Sequence, residues 1–475
     1  MQSSVRRSLV FVVGVLPLLA DWLYKVILHP RPFWAFLYDP ETFYIHDGMR
    51  LLSGRTPVNV DNPGTLVQLL TAAIEAFAGR SPPSVDAIRL SGYIVALLLS
   101  VIAAVLLERT LFREAPALLA IAGLWTFFMA PAALEYAAIW SPEILFFTVG
   151  ALTLAALSTR RAPLVVGVCA GLCIGTKFVF LAWVPAVLLA IAIDRRRLRD
   201  VAQAALGIVA GFVAATLPVS PRYPDMARWL WSLASHSGWY GKGPAELPNV
   251  RLTIFGYWEL ALTCLPWIFW CALVLALQIA ARRRDRMLMA FGVVAIATTI
   301  LIGIRTPAGR YLLPAALGVV ALMGAARGLR PSLATVVFVV ASAVVVHAVI
   351  RDCRMHDRLI AEQTALRNGI DRSIARIRKP GEVVVFGWRR PEPSFALRVF
   401  AVDPTWLAET ERLYPREGHF SGWNGAAHEW DGAVHLPAGA KRWDIMVLDR
   451  KLEAPVPVIR GAPDIGPFAI VRPRH

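Results

Sequence analysis

The sequence predicts a polytopic α-helical membrane protein, on three observations. Its 475 residues are 57% hydrophobic with a mean hydropathy of +0.55, whereas soluble domains run nearer about 45–50% apolar. Charged residues make up only 17% and cluster in short runs between apolar blocks. Many of the arginines sit in short loops, the pattern that sets membrane orientation. The net charge of +16 is therefore read as orientation and lipid contact, with no nucleic-acid partner.

A bilayer-spanning helix needs about 20 apolar residues. Spans are predicted near 8–28, 88–107, 115–133, 142–157, 200–218, 256–280, 287–304, 311–327 and 332–350. The first run is too long for a signal peptide and lacks a small-residue cleavage site, so it reads as a retained helix. Block 163–193 exceeds one span and carries Gly175-Thr176-Lys177 at its middle. It reads as two short helices meeting at the outer face, which makes about 11 spans. With the N-terminus inside, the inner loops hold Arg6/Arg7, Arg109/Arg113, Arg160/Arg161, Arg195–Arg199, Arg282–Arg286 and Arg327/Arg330. Were 163–193 a single span, every later loop would invert and the Arg282–Arg286 run would face outward.

This places 39–87, 219–255, 305–310 and the tail after 350 on the outer face. Within 39–87, Glu41–Leu52 and Gly64–Phe77 have helical spacing but are too short to span, which suits interfacial helices. The 219–255 stretch, rich in Pro, Gly, Trp and Tyr, reads as a large loop. After 350 the character changes: Val383–Phe386 and Ile445–Leu448 are β-like runs between Gly/Pro/Trp-rich turns. The domains are thus 1–350, transmembrane, and 351–475, a small outer α/β or α+β unit. Five cysteines give no disulfide framework.

Several outer-face residues are candidates for chemistry. Asp39 and Glu41 lie two apart in a Pro-containing turn, a spacing that lets two carboxylates address one cavity. One could take a proton; a solvated turn is the plainer alternative. Glu143, in Trp140-Ser141-Pro142-Glu143, opens a predicted span, with Ser141 at a cap position and Pro142 at the first helical position. Helix capping competes with function there, yet ionisable groups at a span are costly and often functional. Lys177 is the second such case, as a phosphate contact or a snorkelling lysine. His236, Tyr240 and Lys242 lie among glycines that allow a close backbone approach, unless this is an ordinary loop. Arg305 and Arg310 flank another span start on the outer side, where orientation does not explain them, and arginine suits phosphate.

The run DPETFY, Asn62-Pro63-Gly64, SPEILFF, GLCIGTKFVFLAWVP and GRYLLP, in that order over roughly 8–350, resembles the GT-C glycosyltransferases. It is similar to the protein O-mannosyltransferase and aminoarabinose–lipid A transferase group of glycosyltransferase family 39. The resemblance implies an inverting transfer from a polyprenyl-phosphate-linked sugar donor to a glycan, lipid or protein acceptor, with the active site outside a bacterial inner membrane. It implies Asp39, Glu41 and Glu143 as acidic catalytic residues and Lys177 and Arg310 on the donor phosphate, where Arg305 is expected beside them. Tyr44, Asn62, His236, Tyr240, Lys242 and Tyr311 are the expected substrate contacts. Asn62 stands where many relatives carry Lys or His, and Glu143 where Asp is usual. No cofactor follows firmly, and a divalent metal stays open. The competing expectations are a lipid-linked oligosaccharide transporter or polymerase, which would place its polar groups nearer the bilayer midplane, and a non-enzymatic scaffold.

Overall fold

The computed structural model describes residues 2–35, 41–57, 64–78, 85–236, 245, 250–305 and 308–377, and six strands between 384 and 471. Helix α1 (Gln2–Trp22) runs on through a π-helical turn, Leu23–Leu28. Then come α2 (Glu41–Leu52), α3 (Thr65–Ala78), α4 (Val85–Arg109), α5 (Ala117–Trp125), the short α6 (Ala133–Ala137) and α7 (Phe146–Ser158). The central group is α8 (Pro163–Thr176), α9 (Trp183–Arg195), α10 (Leu198–Thr216) and α11 (Tyr223–Ser235). The last is α12 (Val250–Thr263), α13 (Leu265–Ala280), α14 (Arg286–Ile302), α15 (Leu313–Ala325) and α16 (Pro331–Ile377).

Among the described residues, five helices are long and apolar enough to cross a membrane, or six if a bent pair counts as one span. Others of the expected spans coincide with shorter apolar helices, Pro142–Ser158, Pro163–Thr176, Arg286–Ile302 and Gly309–Ala325. Helix α4 shows how such a segment suits lipid. Leu90, Ile94, Leu98 and Ile102 form an exposed stripe at four-residue spacing, while Ile88, Ala96, Ala103 and Leu107 are buried. The protein is a polytopic helical membrane protein.

Small residues set the tightest helix contact. Lipid is as apolar as leucine, so helices pair by close backbone approach instead of hydrophobic burial. Glycines repeat every fourth position on α8 (Gly167, Gly171, Gly175) and on α10 (Gly207, Gly211). A Cβ on Gly171 would lie 2.2 Å from the Ile208 carbonyl oxygen, and one on Gly211 would lie 2.2 Å from that of Val168. Elsewhere the core is aromatic: Phe180, Trp183 and Phe291 stack edge to face with centroids 4.8 and 5.1 Å apart.

The expected break in 163–193 is present. Helix α8 ends at Thr176, Lys177 is extended (φ −159°, ψ 138°), and a 3-10 turn, Phe178–Ala182, leads into α9. Helices α2 and α3 also fall where the spacing put them. At the other end of the bundle, Arg283–Arg284 (β1) pairs antiparallel with Ala326–Arg327 (β2). Asp285 caps α14, its Oδ1 accepting from the Met287 and Leu288 amides at 3.1 and 3.2 Å. Two loops assigned to one face thus meet.

Four expectations are corrected. The single helix over 256–280 is two, bent by 88°, because Pro266 in the first turn of α13 has no amide proton to continue the ladder. The span over 115–133 is helical only to Trp125; Pro131 and left-handed Ala132 (φ 62°) close the segment instead. The 219–255 stretch is no plain loop, since it holds α11 and the start of α12. The domain boundary at 350/351 falls inside α16, which continues for 47 residues in all. Its charged half lacks proline and carries i,i+4 ion pairs, Arg358–Glu362 at 2.6 Å and Arg367–Asp371 at 3.8 Å.

Beyond α16, β3 (Val384–Phe386), β4 (His419–Asn424), β5 (Glu429–Val434), β6 (Ile445–Asp449), β7 (Asp464–Ile465) and β8 (Phe468–Val471) form one sheet in the order β5-β4-β3-β6-β8-β7. Strand β3 is parallel to both its neighbours, and the other pairs are antiparallel.

Candidate active site

Two buried carboxylates anchor the site, and one tryptophan joins them. Glu41 opens α2 and is 1% exposed. Its Oε1 accepts from the Trp140 amide at 2.7 Å and from the Tyr93 hydroxyl. Its Oε2 faces Arg89 Nε at 2.7 Å and Arg31 Nη2 at 3.3 Å. Arg89 reaches on to the Arg31 carbonyl at 3.0 Å and the Tyr93 hydroxyl at 3.2 Å. Burial pushes the Glu41 carboxyl up, but Arg89 and Arg31 outweigh it and hold the group below the usual carboxylate range. With both oxygens engaged, Glu41 is built into the wall of the site.

Trp140 carries that wall to Glu143. It is fully buried, and its indole Nε1 donates to Thr71 Oγ1 of α3 at 2.8 Å. The ring fills the space beside Gly92 of α4, where a Cβ would come within 2.7 Å of it. Helices α2 and α3 are locked the same way: a Cβ on Gly48 would strike Thr71 at 2.4 Å, and Gln68 Nε2 donates to Asp47 at 3.1 Å. Helices α2 and α3 and the Trp140–Glu143 turn are therefore packed directly on one another.

Glu143 sits in a 3-10 turn, Pro142–Leu145, that leads into α7. Ser141 stands at the cap position in extended conformation, but its side chain makes no capping bond, so the expected N-cap is absent. Glu143 Oε1 pairs with Lys177 Nζ; the two residues are 3% and 1% exposed. Among the described residues, Glu143 Oε2 and Ser141 Oγ are buried without a hydrogen-bond partner. Lys177 reaches this point because its extended backbone interrupts the helix and turns it inward. The Gly64 amide donates to the Thr176 carbonyl at 3.1 Å, which ties the first loop to the same break, and Gly64 adopts the left-handed φ of 56° that glycine allows.

Arg310 completes the cluster. It lies in a 3-10 turn before α15, stacks over Tyr311 at 5.1 Å, donates to the Tyr311 hydroxyl at 3.2 Å, and faces Tyr136 Oη at 3.5 Å. Its charge acts on Glu143 together with that of Lys177. A small apolar crevice between α1, α4, the turn after α5, α6 and α7, lined by Leu18, Trp22, Leu97, Phe128 and Phe147, has Glu143 in its wall.

Of the expected residues, the structure therefore joins Glu41, Glu143, Lys177, Arg310 and Tyr311. Tyr44 is buried in the α2–α4 packing. His236 ends α11, where Ser235 Oγ meets its Nδ1 at 2.7 Å and its backbone bridges Ala245. Asp39, Asn62, Tyr240 and Lys242 lie outside the described residues, as does the Arg305 side chain. Among the described residues, no three His, Cys, Asp or Glu side chains gather to hold a metal ion. The partners of Glu41, namely Arg31, Arg89 and Tyr93, were not singled out from the sequence. Arg89 lies at the start of an apolar run, the signal that marked Lys177.

The fold is GT-C-like. The structure is similar to that of ArnT from Cupriavidus metallidurans bound to undecaprenyl phosphate, with a TM-score of 0.56 at 13% identity, covering 99% of this chain and 97% of that one. It is also similar to the same enzyme in the apo state, with a TM-score of 0.52 at 16% identity, covering 82% and 84%. Identity this low speaks for the fold. No protein-family model matches the sequence, and no curated protein matches it.

Proposed function

We propose that this chain is a membrane glycosyltransferase. It moves a sugar from a polyprenyl-phosphate donor to a glycan, lipid or protein acceptor at the outer face of a bacterial inner membrane. The observation that carries the reading is the buried Glu143–Lys177 pair with Arg310 beside it. Three separate sequence motifs supply these residues, in a fold shared with a protein solved with undecaprenyl phosphate. The short apolar helices complete eleven crossings, and the strands after α16 form an outer unit.

The chemistry follows from charge. Lys177 and Arg310 bring two cationic side chains toward the donor phosphate, and Arg305 adds to them. Asp39 accepts the acceptor's proton as its oxygen or nitrogen attacks the sugar C1 from the side opposite the phosphate. The new bond to C1 forms as the C1–O(phosphate) bond breaks. The electron pair leaves with polyprenyl phosphate, whose charge Lys177 and Arg310 stabilise. Glu143 orients the acceptor, a role supported by its Oε2 being buried without a hydrogen-bond partner among the described residues. Glu41 holds the Trp140 turn in position. No step is routed through a metal.

Titration with undecaprenyl phosphate tests the phosphate role. A charge-assisted contact contributes about 1.5–3 kcal/mol, so Arg310→Met is expected to weaken binding about ten- to a hundred-fold. Unchanged binding removes Arg310 from the donor site.

A further inference from the structure

A second buried charge cluster lies outside the residues used above. Lys25 sits in the π-helical turn after α1 and is 3% exposed. Its ammonium donates to Asp352 Oδ2 of α16 and to the Leu134 carbonyl of α6 at 2.8 Å, and it forms an ion pair with Asp21 Oδ1 one turn back at 3.1 Å. Two further contacts tie the same turn to α16. The Tyr24 hydroxyl donates to Asp357 Oδ2 at 2.5 Å, and the His356 ring meets the His29 carbonyl at 2.8 Å.

Charge pairing accounts for Asp21 and Asp352. It does not account for Leu134, a neutral backbone group at the start of α6. That helix is five residues long, too short to sustain itself. It is entered through Ala132 at a φ of 62°, a backbone conformation that costs a non-glycine residue energy and persists only when its surroundings impose it. Downstream, Tyr136 presents its hydroxyl to Arg310. Between the two, Glu135 feels the charges of Asp352, Lys25, Arg31 and Arg310 together.

We propose that Lys25 is a positioning residue: clamped between Asp21 and Asp352, it holds α6 by the Leu134 carbonyl and so sets Tyr136 and Arg310 for the donor phosphate. This rests on the donor-phosphate reading of Arg310.

The test compares the melting temperature of the purified full chain in detergent with its affinity for undecaprenyl phosphate. Lys25→Met alone leaves two buried carboxylates without their cation and is expected to lower the melting temperature. The triple variant Asp21→Asn/Lys25→Met/Asp352→Asn removes the whole ionic set, which restores stability because no uncompensated charge remains. It still lacks the bond to Leu134. We expect it to melt near wild type yet bind undecaprenyl phosphate about ten-fold or more weakly, since a charge-assisted contact such as that of Arg310 is worth about that much. Wild-type affinity in the stable triple variant makes the clamp purely structural and overturns the proposal. If the triple variant does not fold, Tyr136→Phe decides. Weakened binding at an unchanged melting temperature supports the link to Arg310, and wild-type binding overturns it. Arg310→Met separates the two readings. If it leaves binding unchanged, the donor-phosphate assignment itself falls; if it weakens binding while the other variants do not, only the clamp falls.

Discussion

Replacing Glu41 by glutamine separates a wall-building carboxylate from a proton acceptor. The substitution keeps the size of the side chain and an oxygen for the Trp140 amide. It removes the charge that faces Arg89 at 2.7 Å and Arg31 at 3.3 Å, both buried. Leaving buried charge without its counterion costs about 3–5 kcal/mol, and among the described residues the exposed Asp86, at 2.8 Å, is the one carboxylate Arg89 would keep. A loss of this size is a large share of ordinary folding stability. The pH dependence has a definite sign. The folded-state pKa of Glu41 lies below its ordinary value. Its contribution is therefore present above the ordinary carboxylate range and is lost as pH falls through the folded value. The assay is thermal unfolding in detergent from neutral to acidic pH. The wild type should melt well above Glu41→Gln at neutral pH, and the gap should close on acidification. A variant that melts with the wild type and keeps a parallel pH profile refutes the view that Glu41 organises the site.

Three other outcomes are expected. Lys177→Met strands the Glu143 carboxylate, so it should be less stable than the double variant Glu143→Gln/Lys177→Met; melting temperatures in the reverse order would remove the buried pair. Gly171→Ala forces a Cβ to 2.2 Å from the Ile208 carbonyl oxygen and should cost about 1–3 kcal/mol as overpacking, read as a lowered melting temperature; a wild-type value would mean that α8 and α10 part without penalty. Reporter fusions after Arg197 and Arg284 should read cytoplasmic and one at Gly381 outside; a cytoplasmic tail overturns the placement of the site.

The helices were legible where one local signal decided them. Gly175-Thr176-Lys177 marked the break after α8 because a lysine in an apolar block demands a reason, and loop arginines independently required the split. The 88° bend before α13 was missed although Pro266 announced it, since hydropathy averages over a window and ignores a lost amide proton. The length of α16 was missed because its charged half stops looking like a span, not because it stops being a helix. In the site, Glu143, Lys177 and Arg310 stood out as ionisable groups at span ends. Arg89, Lys25 and Asp21 satisfy the same rule, but they lie near the ends of their runs, where they read as flanking charge. Their significance is three-dimensional: Arg89 matters through Glu41, 48 positions away in sequence, and Lys25 through Asp352. The glycines of α8 and α10 likewise gain meaning only when the two helices face each other.

The central claim is sugar transfer with Asp39 as the base, and one measurement addresses it most directly. Purified protein in liposomes is supplied with a polyprenyl-phosphate sugar donor and acceptor, and turnover is followed for the wild type and for Asp39→Asn. Loss of a general base typically lowers the rate about 10²–10⁴-fold. The account predicts a loss of that size in Asp39→Asn, with melting temperature and undecaprenyl-phosphate affinity near wild type. Near-wild-type turnover in Asp39→Asn contradicts it.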